Sequence, residues 1–270
     1  MPVQLPLILI VLFFLLFVSC AGVPEQTRIE APPPPVEVST PHLEEIYDSG
    51  YWVTRPSAAG ITVIGIAGRR ANRDEAIREA QADAARKAAL YHGVRGESFS
   101  ILSQGSGTLD YFSDFEYQLD LLNNADQYAG ELVFDKDSDV LEKNGLVFVS
   151  FQYPGVFDIP AYETPLEDGV PAWVKQYNAD IPGFLTSVGL ARNKGTHQKT
   201  YQASYENAIA SLLPRLSSKV SSEVIDAAGN RRNQNILTGS GVLDKVMILE
   251  SWLDKKTNSV WTLLVAKQKL

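Results

Sequence analysis

Few side chains in this sequence stand at spacings that favour chemistry. Asp135-Lys136-Asp137-Ser138-Asp139 opens like a calcium loop, with carboxylates at positions one, three and five. Such a loop needs Gly at position six and Glu at position twelve, where this chain has Val140 and Leu146. A solvated acidic segment leading into a hairpin is the expectation. His42, His92 and His197 lie far apart and form no His-x-x-x-His pair, so no metal centre is expected. Gly105-Ser106-Gly107 and Gly239-Ser240-Gly241 lack the Gly-x-Ser-x-Gly spacing of a nucleophile elbow and read as flexible turns. Gly65-Ile66-Ala67-Gly68 precedes a helix without either phosphate-loop pattern, and its glycines are expected to let strand and helix approach closely.

Two stretches could instead meet a partner. Arg69, Arg70 and Arg73 form the densest basic cluster, suited to an acidic partner or phosphate head groups, with Arg231-Arg232 as a smaller echo. A solvated loop is the competing reading. Tyr111-Phe112-Ser113-Asp114-Phe115-Glu116-Tyr117 is rich in aromatics. Phe112, Phe115, Leu119 and Leu122 fall at helical spacing, which predicts an inward-facing stripe. Alternatively, Tyr111, Phe112, Phe115 and Tyr117 present an interaction surface, since aromatics dominate interface energetics.

The thiol is the most specific signal. Cys20 is the only cysteine in 270 residues, and it follows twelve apolar residues, 7 to 18. As a helix that run spans about 18 Å, short of the ~30 Å hydrocarbon core, which suits a secretory leader over 1–19. No Lys or Arg precedes it. Phe17-Val18-Ser19-Cys20 is similar to a bacterial lipobox, whose cysteine is lipidated and becomes the first residue after cleavage. Two or three acyl chains hold a protein at a membrane where one is marginal. Ala21, in place of Asp, resembles the signal that sends such proteins to the outer membrane. Residues 20–45, with Ala31-Pro32-Pro33-Pro34-Pro35, read as an extended tether.

With Cys20 used for lipid, no disulfide remains and stability must come from a core. The net charge is −8 and the isoelectric point near 5.0, which argues against nucleic acid as a partner.

Behind the tether the chain repeats itself. Tyr51-Trp52-Val53, then Gly60 to Ala67, then an Ala-rich helical stretch is echoed by Ala172-Trp173-Val174, Gly183 to Ala191 and a second helical stretch. Asn72 and Glu75 begin the first helix and Gly93 stops it, with Ala76, Ala80, Ala84 and Ala88 forming a thin stripe. Pro214 should kink or divide the second helix. Asn144-Gly145 marks one hairpin, and 245–253 with 259–268 a second. The expected fold is α+β: two tandem related domains, 46–154 and 172–270, joined by a linker at 155–171. Each places a long helix on a small, mainly antiparallel sheet.

Trp173-Val174, Val188-Gly189-Leu190-Ala191 and Val246-Met247-Ile248-Leu249-Glu250-Ser251-Trp252 resemble the LPP-twenty lipoprotein family. They are also similar to the N-terminal domain of the periplasmic flagellar H-ring assembly protein. The resemblance implies an envelope lipoprotein with no catalytic residues, and no cofactor is expected. The expected role is therefore non-enzymatic: a lipid-anchored protein of the bacterial envelope, in the outer membrane, bound to other envelope proteins. A small-molecule or glycan site between the repeats is the alternative, and a hydrolase built from dispersed Asp, Glu and Ser is weaker still.

Overall fold

A computed structural model describes residues 43–54, 56–57, 60–105, 108–158, 162, 164–227 and 230–268, with side chains outside 45, 56–57, 101–115 and 219–235. Residues 38–270 form one compact unit. The order begins with α1 (Leu43–Ser49), β1 (Tyr51–Val53), β2 (Pro56–Ser57), β3 (Gly60–Gly68) and α2 (Arg73–Tyr91). It continues with β4 (Val94–Gly105), β5 (Thr108–Leu121), α3 (Asp126–Ala129), β6 (Val140–Lys143) and β7 (Leu146–Pro154). Then come β8 (Leu166–Glu167), β9 (Val170–Pro171), α4 (Ala172–Gln176), β10 (Leu185–Arg192) and α5 (His197–Leu216). The last strands are β11 (Ser218–Ala227), β12 (Asn230–Asp254) and β13 (Ser259–Gln268). The fold is α+β with antiparallel sheets.

One sheet has the order β2-β3-β7-β6, and α2 lies on it. Asn72 caps α2, its side chain accepting from the Asp74 N–H, and Gly93 at φ +114° turns the chain out at the other end. Ala76, Ala80, Ala84 and Ala88 are all buried, so the helix axis sits close to the strands. The closeness has a definite origin at Gly65, where a Cβ would stand 2.1 Å from the Ala80 carbonyl oxygen. Ala84 is 0 % exposed, so Ala84→Trp should overpack this layer and lower stability by about 3 kcal/mol in a denaturant titration. An unchanged midpoint would contradict the buried stripe.

The second sheet has the order β10-β13-β12-β4-β5, with β1 and β11 also on β12. Helix α5 lies on β10, β13 and β12. The strand–helix joint of β3 and α2 recurs here with the same residue offsets. A Cβ on Gly189 would stand 2.0 Å from the Ser204 carbonyl oxygen. The Asp83 carboxylate accepts from the Ile66 N–H at 2.9 Å, and the Asn207 amide donates to the Leu190 carbonyl at 2.8 Å. In both sheets the helix-covered strand pairs with the second strand of a hairpin, β3 with β7 and β10 with β13. The β6–β7 turn has Asn144 and Gly145 both at positive φ, as a tight two-residue hairpin requires.

Four expectations need correction. Residues 108–121 are the strand β5, not a helix, so Phe112 and Phe115 fall on opposite faces. A period of two runs through this stretch, and pairing with β4 outweighs the incidental i, i+3 matches. Gly239-Ser240-Gly241 is no turn: it lies inside β12, where both glycines leave room for the end of α5 at Pro214 and Leu216. Pro214 does not divide α5, which runs unbroken to Leu216; the proline sits in the final turn, where few backbone bonds remain to be lost. Finally, Tyr51-Trp52-Val53 is strand β1, whereas Ala172-Trp173-Val174 opens helix α4, although both tryptophans are buried.

The segment 155–171 is fastened to elements on both sides of it. Asp158 pairs with Lys245 and Lys267, and Phe157 stacks edge-on against Tyr91. Residues from both halves share one core, from Ala84 and Phe151 to Trp173 and Leu263. The 25-residue strand β12 spans the whole arrangement, bonded to β11 and β4 along its first half and to β13 and β1 along its second.

Candidate functional site

The most unusual titratable group is Glu250, a carboxylate 1 % exposed near the end of β12. An isolated buried charge is costly, so its partners decide what it does. Trp173 Nε1–H of α4 donates to Oε2, and the Thr164 hydroxyl donates to Oε1. The Tyr51 hydroxyl of β1 donates as well. Burial pushes the Glu250 carboxyl above its ordinary value, and the three donors oppose that shift. Burial and the neighbouring Glu250 charge together push the Tyr51 hydroxyl up. Chemically this is an acceptor already engaged at both oxygens by an indole and a hydroxyl donor. It ties together β1, the segment before α4, α4 itself and β12.

A second node joins the helices to β5. Glu206 of α5 accepts from Arg86 of α2 at 3.1 Å, from the Gln202 amide at 2.9 Å and from the Tyr117 hydroxyl at 3.2 Å. Burial, then the Glu206 charge, pushes the Tyr117 hydroxyl up to about 12. Lys87 bridges Asp83 and the Ile64 carbonyl, both at 2.7 Å. Next to it, between the two layers, lies a cavity of about 40 Å³ lined by Trp52, Lys87, Tyr91, Tyr201 and Tyr205. That volume holds a water or two, against the roughly 300–1,000 Å³ of a ligand pocket. A wider, open depression of about 510 Å³ lies at Glu97, Phe99, Glu116, Thr238 and Ser240. It faces away from α5, against which the other side of this sheet is packed at Gly96 and Gly239.

The structure disperses the residues singled out in the sequence. Cys20 lies outside the described residues, as do the tether up to residue 42 and His42. The last three tether positions, 43–45, instead open helix α1, where Leu43 is buried against the body. Tyr111, Phe112 and Phe115 stand on the β5 backbone, and their side chains lie outside the described residues. Tyr117 is half-buried and bonded to Glu206, so it is not a free surface aromatic. Arg69, Arg70 and Arg73 are exposed, but two of them are held within the chain: Arg70 pairs with Glu79 at 2.6 Å and Arg73 with Glu142 at 2.8 Å. The Asp135 and Asp139 carboxylates turn onto neighbouring backbone N–H groups. Among the described residues no three His, Cys, Asp or Glu gather as metal ligands.

Glu250 is not among the residues whose spacing suggested chemistry, yet it carries a legible signal: a lone acid inside the apolar run 246–252. In a strand buried on both faces such a residue must find donors, and Trp173 is a donor only. No protein-family model, no curated protein and no solved structure matches this chain.

Proposed function

We propose that this chain is a lipid-anchored protein of the bacterial cell envelope, in the outer membrane, with a non-enzymatic role in binding other envelope proteins. The observation that carries this reading is the position of Cys20, the sole thiol, directly behind the apolar run 7–18 and ahead of a proline-rich tether. The body is read as two tandem related α+β units, an interpretation favoured by the matched Gly65–Ala80 and Gly189–Ser204 contacts. The role as a binding protein is favoured by the structural ties of Glu250 and Glu206, each of which holds separate elements of the body together.

The decisive test is covalent. Cells expressing the full chain and fed labelled palmitate should incorporate label into the wild type, and Cys20→Ser should remove it completely and leave the leader attached. Equal labelling, or none in either, with normal leader removal, would refute the anchor.

A further inference from the structure

Four strands continue past the helix-covered body, and their arrangement is one-sided. The end of α5 rests on β12 at Gly239 and Gly241. From that level outward, β11, β12, β4 and β5 form a continuous antiparallel sheet of about eight to ten residues per strand. At ~3.3 Å per residue and a tilt near 45°, eight to ten residues rise about 19–23 Å, just short of the ~25 Å apolar band of an outer-membrane barrel.

Cross-strand partners share a face, so the register sorts the residues. The face continuing from Ser98 takes positions 100–104 of β4, 109–115 of β5, 220–226 of β11 and 231–237 of β12, alternate residues in each. Apart from Asp226 and Arg231, cross-strand partners at the far tip, none of these is Asp, Glu, Lys or Arg. The opposite face over the same span carries Asp110, Asp114, Glu116, Lys219, Glu223 and Arg232. The first face mixes Leu102, Leu109, Tyr111, Phe115, Val220, Val224 and Leu237 with uncharged polar residues. With a charged face behind it, the sheet resembles the apolar-out, polar-in alternation of strands between lipid and water.

The two outer strands of this sheet, β11 and β5, have no neighbour on their far sides among the described residues. β11 runs away from the body and β5 runs back toward it. Setting β11 of a second copy beside β5 of the first therefore makes another antiparallel pair, and each copy adds four strands. Such a head-to-tail contact generates a ring when the rotation closes, and closure removes the exposed edges.

We propose that copies of this chain join β5 to β11 and close a transmembrane β-barrel, with the uncharged face toward lipid and the charged face lining an aqueous pore. The lining has four acids against two bases per copy, so the pore favours cations. This stands independently of Cys20.

The test uses the full chain in phosphatidylethanolamine–phosphatidylglycerol vesicles. In a Cys20→Ser background, Glu116→Cys is combined in turn with Ser221→Cys and Glu223→Cys. Within one copy β12 and β4 separate these strands by roughly 14 Å, beyond disulfide reach, so oxidation links only different copies. A ladder of covalent multimers is expected from one register or the other, together with cation-selective single-channel currents from the wild type. Leu102→Arg, on the uncharged face, should lower channel insertion at least tenfold, whereas Ile101→Arg, at the same level on the other face, inserts and loses cation selectivity. Absence of cross-links in every register, multimers without conductance, or equal behaviour of the two arginine variants overturns the proposal. Palmitate labelling at Cys20 can succeed or fail without affecting any of these readouts.

Discussion

Glu250→Ala is expected to lower stability by about 3 kcal/mol, and the melting temperature by roughly 6–12 °C for a body of this size. The substitution leaves the Trp173 indole N–H facing a void, because an indole can only donate. The Thr164 and Tyr51 hydroxyls lose their acceptor in the same step, though they can rotate. Glu250→Gln should cost much less, since it keeps one acceptor oxygen in place. The two variants also separate charge from shape. Burial raises the Glu250 carboxyl in the folded state above the ~4.3 of an exposed chain. A group raised in this way stabilises the fold below the unfolded value, and that contribution is lost as pH rises through the folded one. Melting temperatures from pH 4 to pH 7 should therefore shift in favour of Glu250→Gln relative to wild type. A wild-type advantage that grows with pH would contradict a costly buried charge.

Gly189→Ala should be as damaging, although in an ordinary strand alanine for glycine is mildly favourable. A methyl group at this position would lie 2.0 Å from the Ser204 carbonyl oxygen and 2.6 Å from the Ala208 nitrogen, both backbone atoms that cannot rotate aside. Helix α5 must lift off β10, breaking the Asn207–Leu190 contact and thinning the layer around Ala208 and Leu212. About 3 kcal/mol is expected. Gly65→Ala poses the same problem beneath α2, with Ala80 in place of Ser204. The two sites are separate, so the double variant should show nearly additive losses in urea midpoint. A single loss equal to the double one would mean that the layers fail as one body.

The sequence made the strand–helix joints legible because they rest on local cues. Asn72, the spaced alanines and Gly65 each declare a cap, a thin face and a close approach, and each appears in the structure in that role. The Asn144-Gly145 turn was equally open to reading. What escaped were features set by distant pairing. Residues 108–121 carry both a helical and an alternating pattern, and only the β4 partner selects between them. Gly239 and Gly241 look like a turn in isolation, and only the α5 terminus lying across them gives them another purpose. Glu250 depends on residues 77 and 86 positions away, which no local window contains. The proposed lipidation signal at Cys20 belongs to a different class, resting on the sequence alone.

Strand β12 also governs the order in which the protein can be made. Its partners include residues 51–53 and 94–104, synthesised well over a hundred positions earlier. Until β12 emerges, those segments wait with unmatched hydrogen-bonding groups. Such distant pairing makes folding slow and leaves partly built chains prone to sticking together. On the proposed export route the chain crosses a membrane unfolded, front end first, and holdase chaperones on the far side would then guard it during that wait.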